Sequence, residues 1–137
     1  MANDEPDPVS AWPAEFIPDD HALLMRVHRQ WTKNGIPMPG AFRNHAGGMS
    51  TDWAQYSTAD QTRGRGRNPA DNGVVRMHVG SVRGLPGQKV EHTPEPTNRA
   101  HTDVFGEKDE EVRLKFVRIC SWAINPPGNP PKRTSTK

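Results

Sequence analysis

Three histidines lie in stretches with strand-like alternation and are the residues with the clearest potential for chemistry. His78, His92 and His101 fall one to each stretch, and short links between the stretches predict an antiparallel meander. Neighbouring strands lie about 4.8 Å apart, so imidazoles in matching register would converge with Glu91 or Asp103. Such a cluster is suited to acid–base chemistry near neutral pH. The alternative is that these histidines face solvent or cap chain ends.

The histidine spacing does not favour a metal. No pair among the six histidines has the HxH, HxxxH or HExxH spacing that places two ligands on one face of an element. A metal site would have to be assembled from distant segments. We therefore expect no metal and no cofactor.

A glycine-hinged stretch, HAGGMSTDW, carries further polar groups. It is predicted to be a loop, here called the MSTDW loop, in which Ser50, Asp52 and Trp53 line a ligand site. A surface loop pinned to the core by its aromatic side chains fits the same residues equally well.

The stretch HALLMRVHRQW alternates with the period of a strand. Leu23, Met25 and Val27 would share a buried face, which leaves Arg26 and His28 on the more polar face. A helix is compatible with the composition, but the short run and the alternation favour a strand. Arg26 and His28 would then either bind a ligand or form an ordinary solvated face.

An arginine-rich segment follows a predicted short helix. Thr58 and Gln61 match a capping box, which predicts a helix over residues 59–63. The segment RGRGR then supplies Arg63, Arg65 and Arg67, whose planar guanidinium groups suit phosphates. It predicts either nucleic-acid binding or a flexible cationic loop without a partner.

The elements together predict an α+β fold. Apolar residues at helical spacing, acids in the first turn and bases later predict a C-terminal helix over residues 110–124. A short strand is predicted at residues 41–43. We expect a loop-rich antiparallel sheet of about four to five strands covered by that one helix.

Composition limits the size of the domain. The chain has 137 residues, of which 14 are proline and 12 glycine, and only 32% are hydrophobic. Acidic residues 1–16 are predicted to be a disordered leader, and proline-rich residues 125–137 a disordered tail. Residues 17–124 would form a single α+β domain. Its basic first part would attract an anion.

Several classes of protein are disfavoured. The sequence contains no run of 18 or more apolar residues and no signal peptide, which predicts a soluble, cytoplasmic protein without a membrane partner. The single cysteine, Cys120, lies in the apolar stripe of the last helix. It is expected to be a small buried hydrophobe rather than a nucleophile.

Three stretches, IPDDHALLMRVH, MSTDWAQYST and EHTPEPTNRAH, resemble a group of short, uncharacterised bacterial proteins. The resemblance covers residues 17–122, implies no established activity and suggests a bacterial or phage origin. Relative to that pattern, the segment RGRGRNPADNG looks like a local insertion. The resemblance directs attention to Asp19, Asp20, Arg26, His28, Asp52, Trp53, Tyr56, His92, Asn98 and His101.

Three functions remain open. The first is an accessory or binding module that contacts an unknown protein or small-molecule ligand through its polar sheet face and the MSTDW loop. The second is a small nucleotide-processing transferase similar to ADP-ribosyltransferases, using the residues Arg26, His28, Ser50, Glu91 and His92. The third is nucleic-acid binding through the arginine-rich segment. The ligand-binding candidates are Arg26, His28, Ser50, Asp52, Trp53, Glu91, His92 and His101.

Overall fold

The computed structural model describes residues 12–128 of the chain. Their strands are β1 (Ala22–His28), β2 (Thr32–Lys33), β3 (Ile36–Pro37), β4 (Met49–Trp53), β5 (Asn72–His78), β6 (Lys89–His92), β7 (His101–Phe105) and β8 (Ser121–Ile124). Their α-helices are α1 (Ala59–Gly64), α2 (Val79–Arg83) and α3 (Glu110–Ile119). Most of the predicted leader and tail lies outside the described residues.

Six of the strands form one antiparallel sheet, in the order β6-β7-β4-β1-β5-β8. β2 and β3 form a separate two-stranded hairpin. The predicted α+β class with an antiparallel sheet is confirmed. The predicted counts were wrong, because the described residues hold a six-stranded sheet and three α-helices rather than four to five strands and one helix.

The predicted meander of three successive strands was also wrong. β6 and β7 pair with each other, but β4 and β1 separate them from β5. The apolar run after β5 forms α2, in which Val79 and Val82 are both fully buried. Their spacing of three residues suits a helical turn, so the run holds a strand followed by a helix. His78 is therefore not a neighbour of His92 or His101.

The stretch predicted as the MSTDW loop is instead β4, an interior strand between β1 and β7. Met49 and Trp53 belong to the hydrophobic core, whereas Ser50 and Asp52 lie on the opposite side of the sheet. The alternation was hard to see because Thr51, which is also buried, is polar. A strand at this position places its polar side chains on a rigid element.

The short strand predicted at residues 41–43 does not form. Pro39–Ala41 make a 3-10 turn, since proline fixes φ and has no amide hydrogen to donate to a sheet. Phe42 follows the turn, is fully buried and stacks on Phe116 of α3, with ring centroids 5.3 Å apart. Its apolar character thus reflects packing under α3 rather than strand pairing.

The predicted C-terminal helix is shorter than expected. Asp109 caps α3 by accepting a hydrogen bond from the Val112 amide at 2.9 Å. The helix ends at Ile119, and Ser121–Ile124 form β8 against β5. Without β8, β5 would be an edge strand with open amides and carbonyls. Hydrogen bonding of residues 121–124 to the β5 edge is therefore favoured over continuation of α3, although their apolar residues have helical spacing.

The hydrophobic core lies on one side of the sheet, against α2 and α3. Leu23 and Val27 of β1, Met77 of β5 and Phe116 of α3 are among its buried members. α1 packs against β1 and β5 and reaches the other side, where Asp52 contacts it. No helix within residues 12–128 is long and apolar enough to cross a bilayer.

Cys120 lies at the C-terminal end of α3 and is partly buried. Burial raises the pKa of its thiol to about 11. Because the thiolate is the reactive form, very little of this thiol is nucleophilic at neutral pH. A packing role for Cys120 is consistent with this environment.

Lys108 is a buried cation between β7 and α3. Its ammonium donates to the Asn44 side chain at 2.6 Å, to the Gly106 carbonyl at 2.9 Å and to the Val104 carbonyl at 3.0 Å. These bonds close the turn that leads into α3. Burial nevertheless lowers the pKa of Lys108 to about 8.

This lowered pKa predicts a pH dependence of stability. Between about pH 8 and the ordinary lysine pKa of 10.5, the unfolded chain binds a proton at Lys108 that the folded chain has lost. The free energy of unfolding contributed by this group therefore rises with pH over that window. Cys120 has a raised pKa and contributes the opposite slope. Urea titrations of the wild type and Lys108→Met from pH 7 to 10 isolate the difference, and equal pH slopes would contradict the prediction.

Candidate functional site

The face of the sheet opposite the core carries a polar groove of about 460 Å³, here called the sheet-face groove. Its floor comes from β1 and β4, and its walls from α1 and the loop between β6 and β7. Its polar lining consists of Arg26, Ser50, Thr51, Asp52, Thr62, Arg65, Glu95, Thr97, Asn98 and His101. The groove thus brings together Arg26, Ser50, Asp52 and His101 from the predicted ligand-binding set, with Arg65 from the predicted nucleic-acid set.

A buried carboxylate organises one wall of this groove. Asp52 is only 4% exposed, and its Oδ2 accepts hydrogen bonds from Arg65 Nη1 at 2.7 Å and Thr62 Oγ1 at 2.8 Å. Its Oδ1 accepts from Asn98 Nδ2 at 2.8 Å. Thr62 belongs to α1, Arg65 directly follows α1, and Asn98 lies in the β6–β7 loop. Asp52 therefore ties three segments of the chain together, namely β4, α1 and the β6–β7 loop.

The position of α1 follows from local sequence. Thr58 and Gln61 form the predicted capping box, with reciprocal bonds of 2.9 and 3.1 Å that fix the first turn. One turn later, Thr62 is buried and its hydroxyl lies 2.7 Å from that of Ser57. Arg65 also donates to Ser57, at 2.8 Å. The capping box thus fixes where α1 begins, and packing of α1 on β1 and β5 places Thr62 and Arg65 within reach of Asp52.

Asn98 holds the loop on the opposite wall. Its Oδ1 accepts from the Ala100 amide at 3.1 Å, while its amide nitrogen donates to Asp52. The backbone of Asn98 also pairs with that of Glu95 in an isolated antiparallel bridge. The side chain is buried, with both ends of the amide satisfied. Asn98 consequently links the loop that carries Glu95 to the floor of the groove.

His101 lies at the far end of the groove, on β7. Its Nδ1 lies 2.9 Å from the Thr93 carbonyl oxygen and 3.0 Å from the Thr93 hydroxyl. On the other side of the ring, Nε2 lies 3.3 Å from Ser50 Oγ and 3.7 Å from Glu95 Oε2. The imidazole is thus held on one edge and turned towards the groove on the other.

Arg26 lies between the sheet-face groove and a second, smaller cavity. Its Nη1 donates to the Thr62 carbonyl at 2.9 Å. Within residues 12–128 this is its one hydrogen bond, and no carboxylate forms an ion pair with it. The second cavity, of about 210 Å³, is also lined by His28, Arg43 and His45. Two guanidinium groups, those of Arg26 and Arg43, therefore lie at or beside this end of the groove.

Two predicted site residues, Trp53 and His92, lie away from the groove. His92 is 4% exposed, its Nδ1 accepts from the Glu15 amide at 3.0 Å, and its Nε2 donates to the Arg99 carbonyl at 2.7 Å. Trp53 packs edge-on against His92, with ring centroids 5.1 Å apart. Both side chains use their polar atoms within the protein, so their contacts are those of packing residues.

Residues 12–16, the last part of the predicted leader, also contact the domain. Tyr56 donates to the Glu15 carboxylate at 2.8 Å, and this bond raises the pKa of the tyrosine. The guanidinium of Arg99 lies 3.9 Å from the centre of the Tyr56 ring and 4.9 Å from that of Trp12. The chain is thus attached to the domain from Trp12 onwards.

The residues of the predicted transferase site converge only in part: Arg26 and Ser50 line the sheet-face groove, and His28, Glu91 and His92 do not. Glu91 is exposed on β6 and lines a different cavity, together with Phe16 and Arg83. His28 caps a 3-10 turn by accepting from the Gln30 amide at 3.1 Å. Neither residue lines the sheet-face groove that contains Ser50. The described geometry therefore separates the residues that the transferase hypothesis combines.

The arginine-rich segment is largely used within the protein. Arg63 donates to the carbonyls of Pro69 at 2.9 Å and Asn72 at 3.2 Å, and Arg65 is paired with Asp52. A Cβ added at Gly66 would lie 2.9 Å from Cδ of Arg26, so the absence of a side chain at Gly66 lets this segment approach Arg26 closely. Of the three predicted nucleic-acid contacts, only Arg67 makes no hydrogen bond within the described residues.

Several groove residues were missed as candidates. Thr62 follows a correctly predicted cap, but its inward orientation depends on tertiary packing. Glu95 and Thr97, which line the groove, lie in the proline-containing loop between β6 and β7, and Thr93 of the same loop contacts His101. The only sequence signal was the alternation of proline with polar residues, which is typical of many surface loops.

Among residues 12–128, no three histidine, cysteine, aspartate or glutamate side chains are grouped as metal ligands would be. The groove offers instead guanidinium, hydroxyl, amide and imidazole groups, which recognise polar and anionic ligands by hydrogen bonds. No family model, curated protein or solved structure matches the chain, so its resemblance to short bacterial proteins stays a prediction.

Proposed function

We propose that this chain is a binding module for a small, polar, phosphorylated ligand, held in the sheet-face groove. Nucleoside monophosphates and sugar phosphates are the chemical classes that fit. The observation that carries the proposal is the guanidinium of Arg26, which forms no ion pair within residues 12–128, in a groove whose other polar walls are already fixed by hydrogen bonds. A module of this kind acts through the polar sheet face and through β4.

The size and stiffness of the groove support a small ligand. Sites for small molecules typically have volumes of about 300–1,000 Å³, and the groove measures about 460 Å³. Asp52 ties β4, α1 and the β6–β7 loop together before any ligand arrives. A site that is already ordered loses less conformational entropy when it binds.

The distribution of charge supports an anionic group at one end. Arg65 compensates the charge of Asp52 at 2.7 Å, which leaves Arg26 available to an incoming anion. The adjoining cavity, which Arg26 also lines, adds Arg43 and His45. The opposite end offers hydroxyl, imidazole and carboxylate groups from Ser50, His101 and Glu95, which suit ligand hydroxyls. A phosphate near Arg26 and a sugar towards His101 match this polarity.

The other hypotheses have less support from the geometry. Nucleic-acid binding through the arginine-rich segment would require Arg63 and Arg65 to give up internal acceptors. A transferase site would require Glu91 to act in a groove that it does not line. The sheet-face groove, in contrast, needs no rearrangement of the described residues.

A matched thermal-shift experiment tests the proposal. AMP, GMP and glucose 6-phosphate would be compared with adenosine, guanosine and glucose on the full-length protein. A ligand at about 100 times its Kd stabilises the fold by about 2.7 kcal/mol, enough to raise the Tm by several degrees. We expect a shift with at least one phosphorylated compound and a much smaller shift with its unphosphorylated partner.

The variants locate the effect. Arg26→Gln is expected to remove most of the ligand-induced shift in Tm. The control is Arg118→Gln, which changes an exposed arginine on α3 and is expected to retain the full shift. Each shift is measured from the variant's own unliganded Tm, so changes in basal stability cancel. The absence of a shift with every phosphorylated compound would refute the proposal, as would a full shift in Arg26→Gln.

A further inference from the structure

We propose that Ser50 and His101 form a nucleophile–base pair that hydrolyses carboxylic esters of small polar molecules bound in the sheet-face groove. The inference rests on the proposed function, since it uses the same groove to hold the substrate. It adds a covalent reaction that ligand binding alone does not require. The pair is carried by two neighbouring interior strands, β4 and β7.

The pairing of β4 with β7 brings the two side chains together. Asp52 lies opposite His101 and Ser50 opposite Asp103, so Ser50 and His101 are diagonal neighbours on one face. Ser50 Oγ lies 3.3 Å from Nε2 of His101, and Ser50 is exposed to the groove. The nucleophile is therefore accessible, and the base is within reach of its proton.

The tautomer of His101 follows from its partners. The Thr93 carbonyl oxygen, 2.9 Å from Nδ1, can only accept, so Nδ1 carries the hydrogen. The Thr93 hydroxyl donates its own hydrogen to Asp103 Oδ2 at 3.0 Å, and its oxygen therefore faces Nδ1 as an acceptor too. Nε2 is left with a lone pair that points towards the Ser50 hydroxyl. A base held by a third group is the arrangement that activates a serine.

Glu95 supports the charged form of the base. Its Oε2 lies 3.7 Å from Nε2, and its side chain is 54% exposed. The carboxylate is too distant for a strong hydrogen bond, so it does not displace Ser50 as the partner of Nε2. It would attract the imidazolium that forms once the serine proton has been transferred.

The reaction is balanced without any redox partner. Ser50 Oγ attacks the ester carbonyl carbon as its proton passes to Nε2, and the carbon–oxygen bond to the alcohol then breaks. The departing alkoxide takes the proton from Nε2, which leaves an acyl-serine. Water attacks the acyl carbon while Nε2 takes a water proton, the bond to Oγ breaks, and Oγ recovers that proton. The products are a carboxylic acid and an alcohol.

The groups that contact Nδ1 of His101 indicate esters rather than amides as substrates. Asp103 reaches the imidazole only through the Thr93 hydroxyl, and a neutral backbone carbonyl occupies the place at Nδ1 where serine hydrolases have a carboxylate. A carboxylate at Nδ1 stabilises the imidazolium more strongly than a carbonyl does. A pair without one suits acyl groups whose leaving group departs readily.

Covalent labelling tests the inference on the full-length protein. A fluorophosphonate probe, followed by peptide mass spectrometry, is expected to modify Ser50, and p-nitrophenyl acetate is expected to be hydrolysed. Both activities should disappear in Ser50→Ala and fall about 100-fold in His101→Gln, in line with the usual effect of a general base. Ser81→Ala, an exposed serine on α2, should keep both.

Two results would overturn the inference. One is labelling of Ser50 no faster than that of Ser81, and the other is labelling of Ser50 that His101→Gln leaves unchanged. The ligand-induced thermal shift separates this failure from failure of the binding proposal. If Ser50→Ala still binds the phosphorylated ligand but the wild type is not labelled, the groove binds and the pair is inert. If the wild type is labelled and no ligand shifts its Tm, the ligand class is wrong and the pair is active.

Discussion

Replacing Asp52 with alanine is expected to lower the free energy of unfolding by about 3 kcal/mol. The substitution leaves the buried Thr62 and Asn98 side chains without their acceptor and Arg65 without its counterion. Each kcal/mol corresponds to about 4 °C for a domain of this size, so the Tm should fall by roughly 12 °C. The ligand-induced shift should also be lost, because the wall of the groove is no longer fixed. Differential scanning calorimetry with and without ligand measures both effects.

Asp20→Ala is the control for this prediction, because Asp20 is an exposed carboxylate in the turn before β1. Surface substitutions of this kind usually change stability by less than about 0.5 kcal/mol. If Asp52→Ala cost as little as Asp20→Ala, the three-segment network around Asp52 would not exist in solution.

Phe116→Ala is expected to lower the free energy of unfolding by about 3–5 kcal/mol, the usual range for a buried phenylalanine. Phe116 is fully buried on α3, and its ring stacks on Phe42 at 5.3 Å between centroids. Removing the ring leaves a cavity beneath α3 and also deprives Phe42 of its stacking partner. Urea denaturation followed by tryptophan fluorescence gives the change directly.

Leu114→Ala on the same helix is the matched control. Leu114 is 42% exposed, so its truncation should cost less than about 1 kcal/mol. Comparable losses for Leu114→Ala and Phe116→Ala would mean that α3 presents a different face to the core than the one described.

Local signals in the sequence predicted local structure well. The alternation in β1, the capping box at Thr58 and the acidic start of α3 each depend on residues within a few positions of one another. β4 and β8 depend on partners far along the chain, and their own residues do not reveal which strand they will join. Ser121–Ile124 became a strand because β5 had an edge to fill.

The candidate site was predicted only in part, because its residues are brought together by strand pairings that local sequence does not reveal. Arg26 was identified from the strand-like alternation around it, and Ser50 as a polar residue of a predicted loop. His92 and His101 were grouped together although they lie on opposite faces. His92 pairs with Thr102, so His101, one residue earlier, points the other way. A shift of one residue in strand register reverses the face, and turn sequence alone did not fix that register.

The strand order also has a consequence for how fast the molecule reaches its native state. In the six-stranded sheet, every neighbour of β1 and β5 lies many residues away along the chain, and among its described strands only the pair β6 and β7 is consecutive in sequence. Domains dominated by such distant pairings typically fold in milliseconds to seconds. The chain must lose conformational entropy to bring distant strands together before the stabilising contacts between them can form. During synthesis, β5 has no partner on its outer side until Ser121–Ile124 leaves the ribosome. Until then, the nascent chain exposes an open strand edge. We expect chaperone binding and aggregation to decrease once β8 pairs with β5.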